Sequence, residues 1–260
     1  MTILRSLIVG AVAAPALGLL AFFVLRPTEN PRMKVFPKLM LWAWERPEDL
    51  RSLPVDRVGV AYLAQTITLH GDRLTRDPRR QPLKVPEGVA LMAVTRIEVA
   101  RGEPLVPSNA LRDLVITQLL NNLRPTSRGL QIDFDAKVSE RPFYRELLIE
   151  LRRRMDPGMP LSMTALASWA FQGGWIEGLP VDEAVPMCFD MGGDTPAIKA
   201  HLAAGRNFRS PNARHAIGLR MEEPLPRLPG SWLDRRRVYL FRHTPWNDQT
   251  VRKAIQEFAS

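Results

Sequence analysis

Asp133 and Asp135 lie two residues apart in the apolar stretch Gly129-Leu130-Gln131-Ile132-Asp133-Phe134-Asp135-Ala136. In an extended chain, alternation sends Ile132 and Phe134 to one face and both aspartates to the other. Two carboxylates at the end of such a strand are costly to bury unless something pairs or uses them. Neighbouring arginines could hold them as a structural pair, or they could carry acid/base chemistry at the carboxyl-terminal rim of a parallel barrel. Other chemistries find little material. The single Cys188 excludes an internal disulfide and a cysteine-based zinc site, and His70, His201, His215 and His243 have no ligand spacing. No Walker-type or dinucleotide loop and no Gly-x-Ser-x-Gly elbow is present, so neither a metal nor a cofactor is expected.

The elements that must position these carboxylates read as alternating strands and helices. Strands are expected at Pro37–Trp44, Arg57–Leu69, Gly88–Val99, Gly129–Ala136, Pro160–Trp169, Glu183–Met191, Ala213–Met221 and Arg237–Arg242. Helices are expected at Leu111–Leu123, at about Glu140–Met155 with Ser139 as cap, after Asp194 as far as Gly205, and after Asp248. Gly71–Glu87 is basic and punctuated by proline, which predicts a long loop. Eight strands separated by helices or long crossovers predict an α/β fold, a compact (β/α)8 TIM-like barrel. A doubly wound sheet would need a glycine-rich turn after its first strand, where this chain has Trp44-Glu45-Arg46-Pro47.

On that reading the strand ends collect Trp42, Trp44 and Glu45, then Tyr62, Arg96 and Glu98, then Asp133 and Asp135. Trp169, Asp190, Arg220, Glu222, Arg242, His243 and Trp246 complete the ring. Carboxylates and indoles around one mouth suit carbohydrate chemistry, in which aromatic faces stack on sugar rings and an acid protonates the leaving oxygen.

Bulk properties are those of a globular chain: 260 residues, 45% hydrophobic and 24% charged, with a net charge of +9. The arginine runs Arg152-Arg153-Arg154 and Arg235-Arg236-Arg237 read first as solvated faces and second as attraction to anionic lipid or acidic polymer. No recognition motif accompanies the charge, so no nucleic-acid partner is expected. Ser6–Leu25 is an uncharged run between Arg5 and Arg26, long enough to span a hydrocarbon core. Residues 1–30 are therefore expected to be an N-terminal transmembrane anchor or signal helix, and residues 31–260 the barrel.

The segment Gly129-Leu130-Gln131-Ile132-Asp133-Phe134-Asp135 resembles the Asp-Gly-x-Asp-x-Asp-aromatic-Glu motif of family-18 glycoside hydrolases, and Met187-Cys188-Phe189-Asp190 is similar to that family's Met-x-Tyr-Asp. The resemblance implies a glycosidase barrel in which Asp135 takes the place of the proton-donating glutamate and Asp133 that of the last aspartate. Arg128 and Gln131 replace the first two aspartates, and Phe189 lacks the hydroxyl that would hold an acetamido group. More widely, residues 36–260 resemble an uncharacterised bacterial family, domain of unknown function 3142. Leu41–Leu50, Gln131–Ala136, Leu161–Trp169 and Pro180–Met187 carry that resemblance. It implies a glycosidase-like barrel and no established activity.

These readings predict a glycoside-hydrolase-like protein acting on a cell-envelope polysaccharide or oligosaccharide. Asp135 is expected as proton donor, Asp133 as its partner and Asp190 as the orienting group. Trp44, Tyr62, Arg96, Trp169, Glu222 and Trp246 are expected to bind the sugar. The alternative is a barrel without catalysis that binds glycan or a partner protein at the membrane. The expected location is the inner membrane, facing the periplasm, or export; the sequence sets no oligomeric state.

Overall fold

A computed structural model describes residues 29–224 and 226–259. The apolar run 6–25 lies outside the described residues, and among those no helix is long and apolar enough to cross a membrane.

Eight parallel strands close into a barrel: Leu39–Ala43, Val58–His70, Leu91–Val99, Ser127–Asp133, Leu161–Leu166, Glu183–Met187, Ala216–Arg220 and Arg237–Phe241. The first strand pairs with both the second and the eighth, which closes the ring. Buried on both faces, such strands read as nearly continuous apolar runs, and Val58-Gly59-Val60-Ala61-Tyr62-Leu63 is one. Alternation divides them between two cores. Met40, Trp42, Ala61, Met92, Val94, Val185 and Tyr239 fill the barrel, and Met33 and Phe36 close its lower end. Leu39, Leu41, Val60, Tyr62, Leu130 and Ile132 face the helices. Two glycines make the inner packing possible. A Cβ on Gly218 would meet the Trp42 ring at 2.9 Å, and one on Gly129 would meet Phe36 at 3.0 Å.

The outer layer holds α1 (Asn109–Asn121), α2 (Arg141–Arg154), α3 (Ala167–Gln172), α4 (Thr195–Ala203), α5 (Ser231–Arg235) and α6 (Asp248–Phe258). α2 shows why such segments are helical. Phe143, Tyr144, Leu147, Leu148 and Leu151 form one buried stripe, and Arg152, Arg153 and Arg154 end it at the negative pole of the helix. The Ser108 side chain accepts the Leu111 N–H and caps α1.

The barrel expectation stands in its strand order, with local corrections. The first two crossovers contain no helix. Part of the expected 71–87 loop is a strand, Arg73–Pro78, pairing antiparallel with Gln65–His70 of the long second strand. Its side chains are mostly exposed and polar, so it carries no apolar signature, and backbone pairing makes it a strand. The fifth strand stops at Leu166, where the chain turns into α3. Ser139 does not cap α2; it lies in a single 3-10 turn, Val138–Glu140, ahead of it. Asn247, one residue before Asp248, caps α6 by accepting the Thr250 N–H.

Candidate active site

A cleft of about 430 Å³ opens at the carboxyl-terminal ends of the strands. Asp133, the last residue of the fourth strand, lies on its floor with only 4% of its side chain exposed. Alternation turns Gln131 and Asp133 inward while Leu130 and Ile132 join the outer core. Both Asp133 oxygens are occupied. Oδ2 accepts from Arg96 Nη1 at 3.0 Å, and Oδ1 accepts from the Thr164 hydroxyl at 2.6 Å. Arg96 comes from the third strand, paired beside Asp133, and its Nε also donates to Glu98 at 2.5 Å. Thr164 projects from the fifth strand.

Asp135, two residues beyond, also lines the cleft, and it has no hydrogen bond or ion pair to another described residue. It is open to solvent, yet the concave protein around it strips away part of its hydration. That loss is the main reason its carboxyl is raised above the ordinary carboxylate value. The negative charge of Asp133 raises it further, Arg96 opposes the rise, and Glu98 adds to it. The result is an unpaired carboxyl with increased hold on its proton, beside a carboxylate that accepts a hydrogen bond at each oxygen.

Asp190 stands on another wall, just past the sixth strand, with φ +46°. This left-handed conformation is uncommon for residues other than glycine, although aspartate tolerates it better than most. Arg220 Nη1 donates to both Asp190 oxygens at 2.6 Å and lies 2.9 Å from His243 Nε2. Glu223 binds the other end of the same guanidinium.

Between these polar groups the wall is aromatic. Phe189 stacks on Phe241 with centroids 5.6 Å apart, Trp44 meets Phe241 edge-on at 6.0 Å, and Trp42 meets Phe189 edge-on at 6.2 Å. Arg79 fixes the chain at Trp44, donating to its carbonyl at 2.6 Å and to that of Arg46 at 2.7 Å. Beneath the floor, Trp42 Nε1 donates to Gln131 Oε1 at 2.9 Å, and Gln131 Nε2 donates to Ser162 Oγ at 3.0 Å. A neutral, satisfied network therefore occupies the inward position two residues before Asp133.

Of the nine residues expected to act on or bind the sugar, Trp44, Arg96, Asp133, Asp135 and Asp190 share the cleft. The other four do not line it. Tyr62 points outward, because alternation puts its neighbour Ala61 inside; its hydroxyl pairs with Ser127 Oγ at 3.0 Å under the helices. Trp169 belongs to α3 rather than to a strand end and packs edge-on against Trp175 in the outer core. Trp246 is buried, its Nε1 donating to the Trp42 carbonyl at 2.9 Å. Glu222 lies in the turn after the seventh strand, 3.3 Å from Arg242 Nε. Thr164 and Asp194 are lining residues that the sequence reading passed over. Thr164 follows from the inward alternation Ser162, Thr164, whereas Asp194 entered the sequence reading only as the residue before a helix.

No family model and no curated protein matches this sequence. Solved structures do. A protein assigned as chitinase A from Streptomyces coelicolor superposes with a TM-score of 0.55, at 10% identity, over 86% of this chain and 97% of that one. The spore cortex-lytic enzyme SleL of Bacillus cereus matches at 0.44 and 14%, over 70% of this chain and 50% of that one, so the chain spans about half of its length. A fungal endo-β-N-acetylglucosaminidase of glycosyl hydrolase family 18 matches at 0.44 and 14%, over 85% and 86%. The Streptomyces likeness shows a shared fold, and the two below 0.5 carry no argument. The chain thus shares the (β/α)8 barrel architecture of the Streptomyces protein.

Proposed function

We propose that the protein is a glycoside hydrolase-like enzyme that cleaves a cell-envelope polysaccharide, with Asp135 as the general acid. One observation carries this reading: an unpaired carboxyl with a raised pKa projects into an aromatic-walled cleft beside a salt-bridged aspartate. In the proposed step Asp135 gives its proton to the glycosidic oxygen as the bond to the anomeric carbon breaks; water then bonds to that carbon and gives a proton back to the Asp135 carboxylate. Asp133 is buried and accepts a hydrogen bond at each oxygen, so its part is to hold negative charge next to Asp135 and keep that proton bound. Asp190, fixed by Arg220, orients the sugar from the opposite wall, and Trp44, Phe189 and Phe241 offer apolar surface to the ring. Arg96 acts through Asp133. Direct acid catalysis suits the site better than assistance by an acetamido group, because Phe189 has no hydroxyl to hold one. A location at the inner membrane, or export, goes with this reading and rests on the sequence of residues 6–25.

A second reading, a glycan-binding barrel without turnover, is favoured by one feature. The neutral Trp42–Gln131–Ser162 chain stands where an acid relay would run. Release of reducing ends from a panel of envelope polysaccharides by the full chain separates the two. Turnover that is lost in Asp135→Asn is the expected result. Glycan binding that persists in Asp135→Asn, with no turnover by the unaltered chain, would establish the binding reading instead.

A further inference from the structure

At the end of the barrel opposite the cleft, the 3-10 turn Pro31–Val35 crosses beneath the strands, and a second cavity of about 290 Å³ opens beside it. Its lining is cationic. Lys34, Lys38, Arg235, Arg236 and Arg237 contribute, and Glu29 is its one carboxylate.

The charges are unevenly matched. Arg237 is balanced by Glu183 and Glu29. Arg236 is only 4% exposed, and no carboxylate among the described residues forms an ion pair with it. Its guanidinium donates to Asn207 Oδ1 at 2.7 Å and to the Ala213 carbonyl at 3.3 Å, and it lies 3.8 Å over the Trp232 ring. Burial pushes it down to about 10, which leaves it charged at neutral pH. Its charge is met by those two oxygens and by the Trp232 and Phe208 rings, so the cations left for an anion in the cavity are those of Lys34, Lys38 and Arg235. Lys34 and Arg235 are exposed and have no acidic partner among the described residues, and the Lys38 ammonium reaches only the Asp234 carbonyl, at 2.6 Å.

The position of this cavity argues for one source of anion. Glu29, in its wall, follows by three residues the Arg26 that ends the apolar run 6–25, and Val35, next to Lys34, is 45% exposed. Basic side chains and an exposed aliphatic one beside a membrane-length apolar run suit the headgroup layer of a bilayer. We infer that this cavity takes the phosphate of an anionic lipid headgroup and so seats the barrel with its catalytic mouth turned away from the membrane. The inference is independent of the chemistry proposed for the cleft.

The test uses the full chain in nanodiscs of phosphatidylcholine alone or mixed equally with phosphatidylglycerol. Lysine acylation rates are read residue by residue by mass spectrometry. Lys34 and Lys38 should be acylated several-fold more slowly in the phosphatidylglycerol discs. Lys84 and Lys137, at the mouth end, should react equally in both. In the Lys34→Gln/Arg235→Gln variant, whose substitutions are both at exposed positions, the protection of Lys38 should disappear. Equal rates for Lys34 and Lys38 in the two discs would overturn the inference, as would protection of Lys38 that survives in the variant. Millimolar inorganic phosphate that gives the same protection in phosphatidylcholine discs would also overturn it, in favour of a soluble anion.

Discussion

At the mouth of the barrel Asp133 is salt-bridged to Arg96; toward the closed end Glu183 is salt-bridged to Arg237. Both carboxylates are buried and both have every oxygen engaged. Glu183 accepts from Tyr239 at 2.8 Å and from Arg237 at 2.5 Å. Burial still raises the Glu183 carboxyl above its usual value, and attraction to Arg237 only partly offsets this. The two pairs differ in their surroundings. Met33 and Phe36 seal the barrel below Glu183, whereas Asp133 has an unpaired, solvent-reached neighbour in Asp135. A buried ion pair on its own is architecture. On the proposed function, chemistry at the mouth belongs to the extra carboxyl that the pair leaves unsatisfied.

Breaking each end separately should expose that difference. Asp135→Asn should lower kcat/KM by about 10²–10⁴-fold, the usual contribution of a general acid. Since Asp135 has no hydrogen-bond or ion-pair partner among the described residues, Tm should stay put. Glu183→Ala should do the converse. Removing one member of a buried pair costs about 3–5 kcal/mol, and urea unfolding should register that loss while the refolded fraction keeps its specific activity. A Glu183→Ala chain as stable as the unaltered one would show that the closed end does not hold the barrel together. Loss of stability in Asp135→Asn would mean the mouth carboxyl is structural too.

How much of this contrast was legible in the sequence depended on register. Strands buried on both faces, such as 58–63, announce themselves as apolar runs, and the stripe Phe143, Leu147, Leu148, Leu151 identified α2 directly, to which the structure adds Tyr144. The inward placement of Asp133 followed from alternation within its own strand. Aromatic residues were harder, because a single position decides which side of the wall they take. Tyr62 falls on the helix side, Trp44 in the cleft. Trp169 was misplaced because Leu161–Ala170 is one uncharged run of apolar and hydroxyl residues, and nothing in its composition marks the change from strand to α3 at Leu166. The strand Arg73–Pro78 was missed for the opposite reason: its polar side chains bury nothing. The partners of Asp133 come from two other strands, 31 and 37 residues away in sequence, and only the closed barrel brings them together.

Smaller effects sharpen the account of the mouth. Trp44→Ala removes one side of the aromatic wall without touching a carboxylate, so KM should rise by roughly tenfold, equivalent to about 1.4 kcal/mol of lost apolar contact, with kcat little changed. A fall in kcat alone would place Trp44 outside the sugar contact.

The subtlest test concerns the proton itself. A general acid works while protonated, so activity falls as pH rises through its pKa, and the raised pKa of Asp135 extends activity toward higher pH. Asp133→Asn removes the larger of the two negative neighbours that raise it, so the alkaline limb of kcat/KM should move to lower pH. Glu98→Gln removes the weaker one and should move the limb the same way by less. This second variant is the cleaner of the two, because Glu98 is exposed and its loss leaves both Asp133 hydrogen bonds in place. A limb that ignores both substitutions, while Asp135→Asn still abolishes turnover, would mean that another group supplies the proton and that Asp135 serves only to hold the sugar.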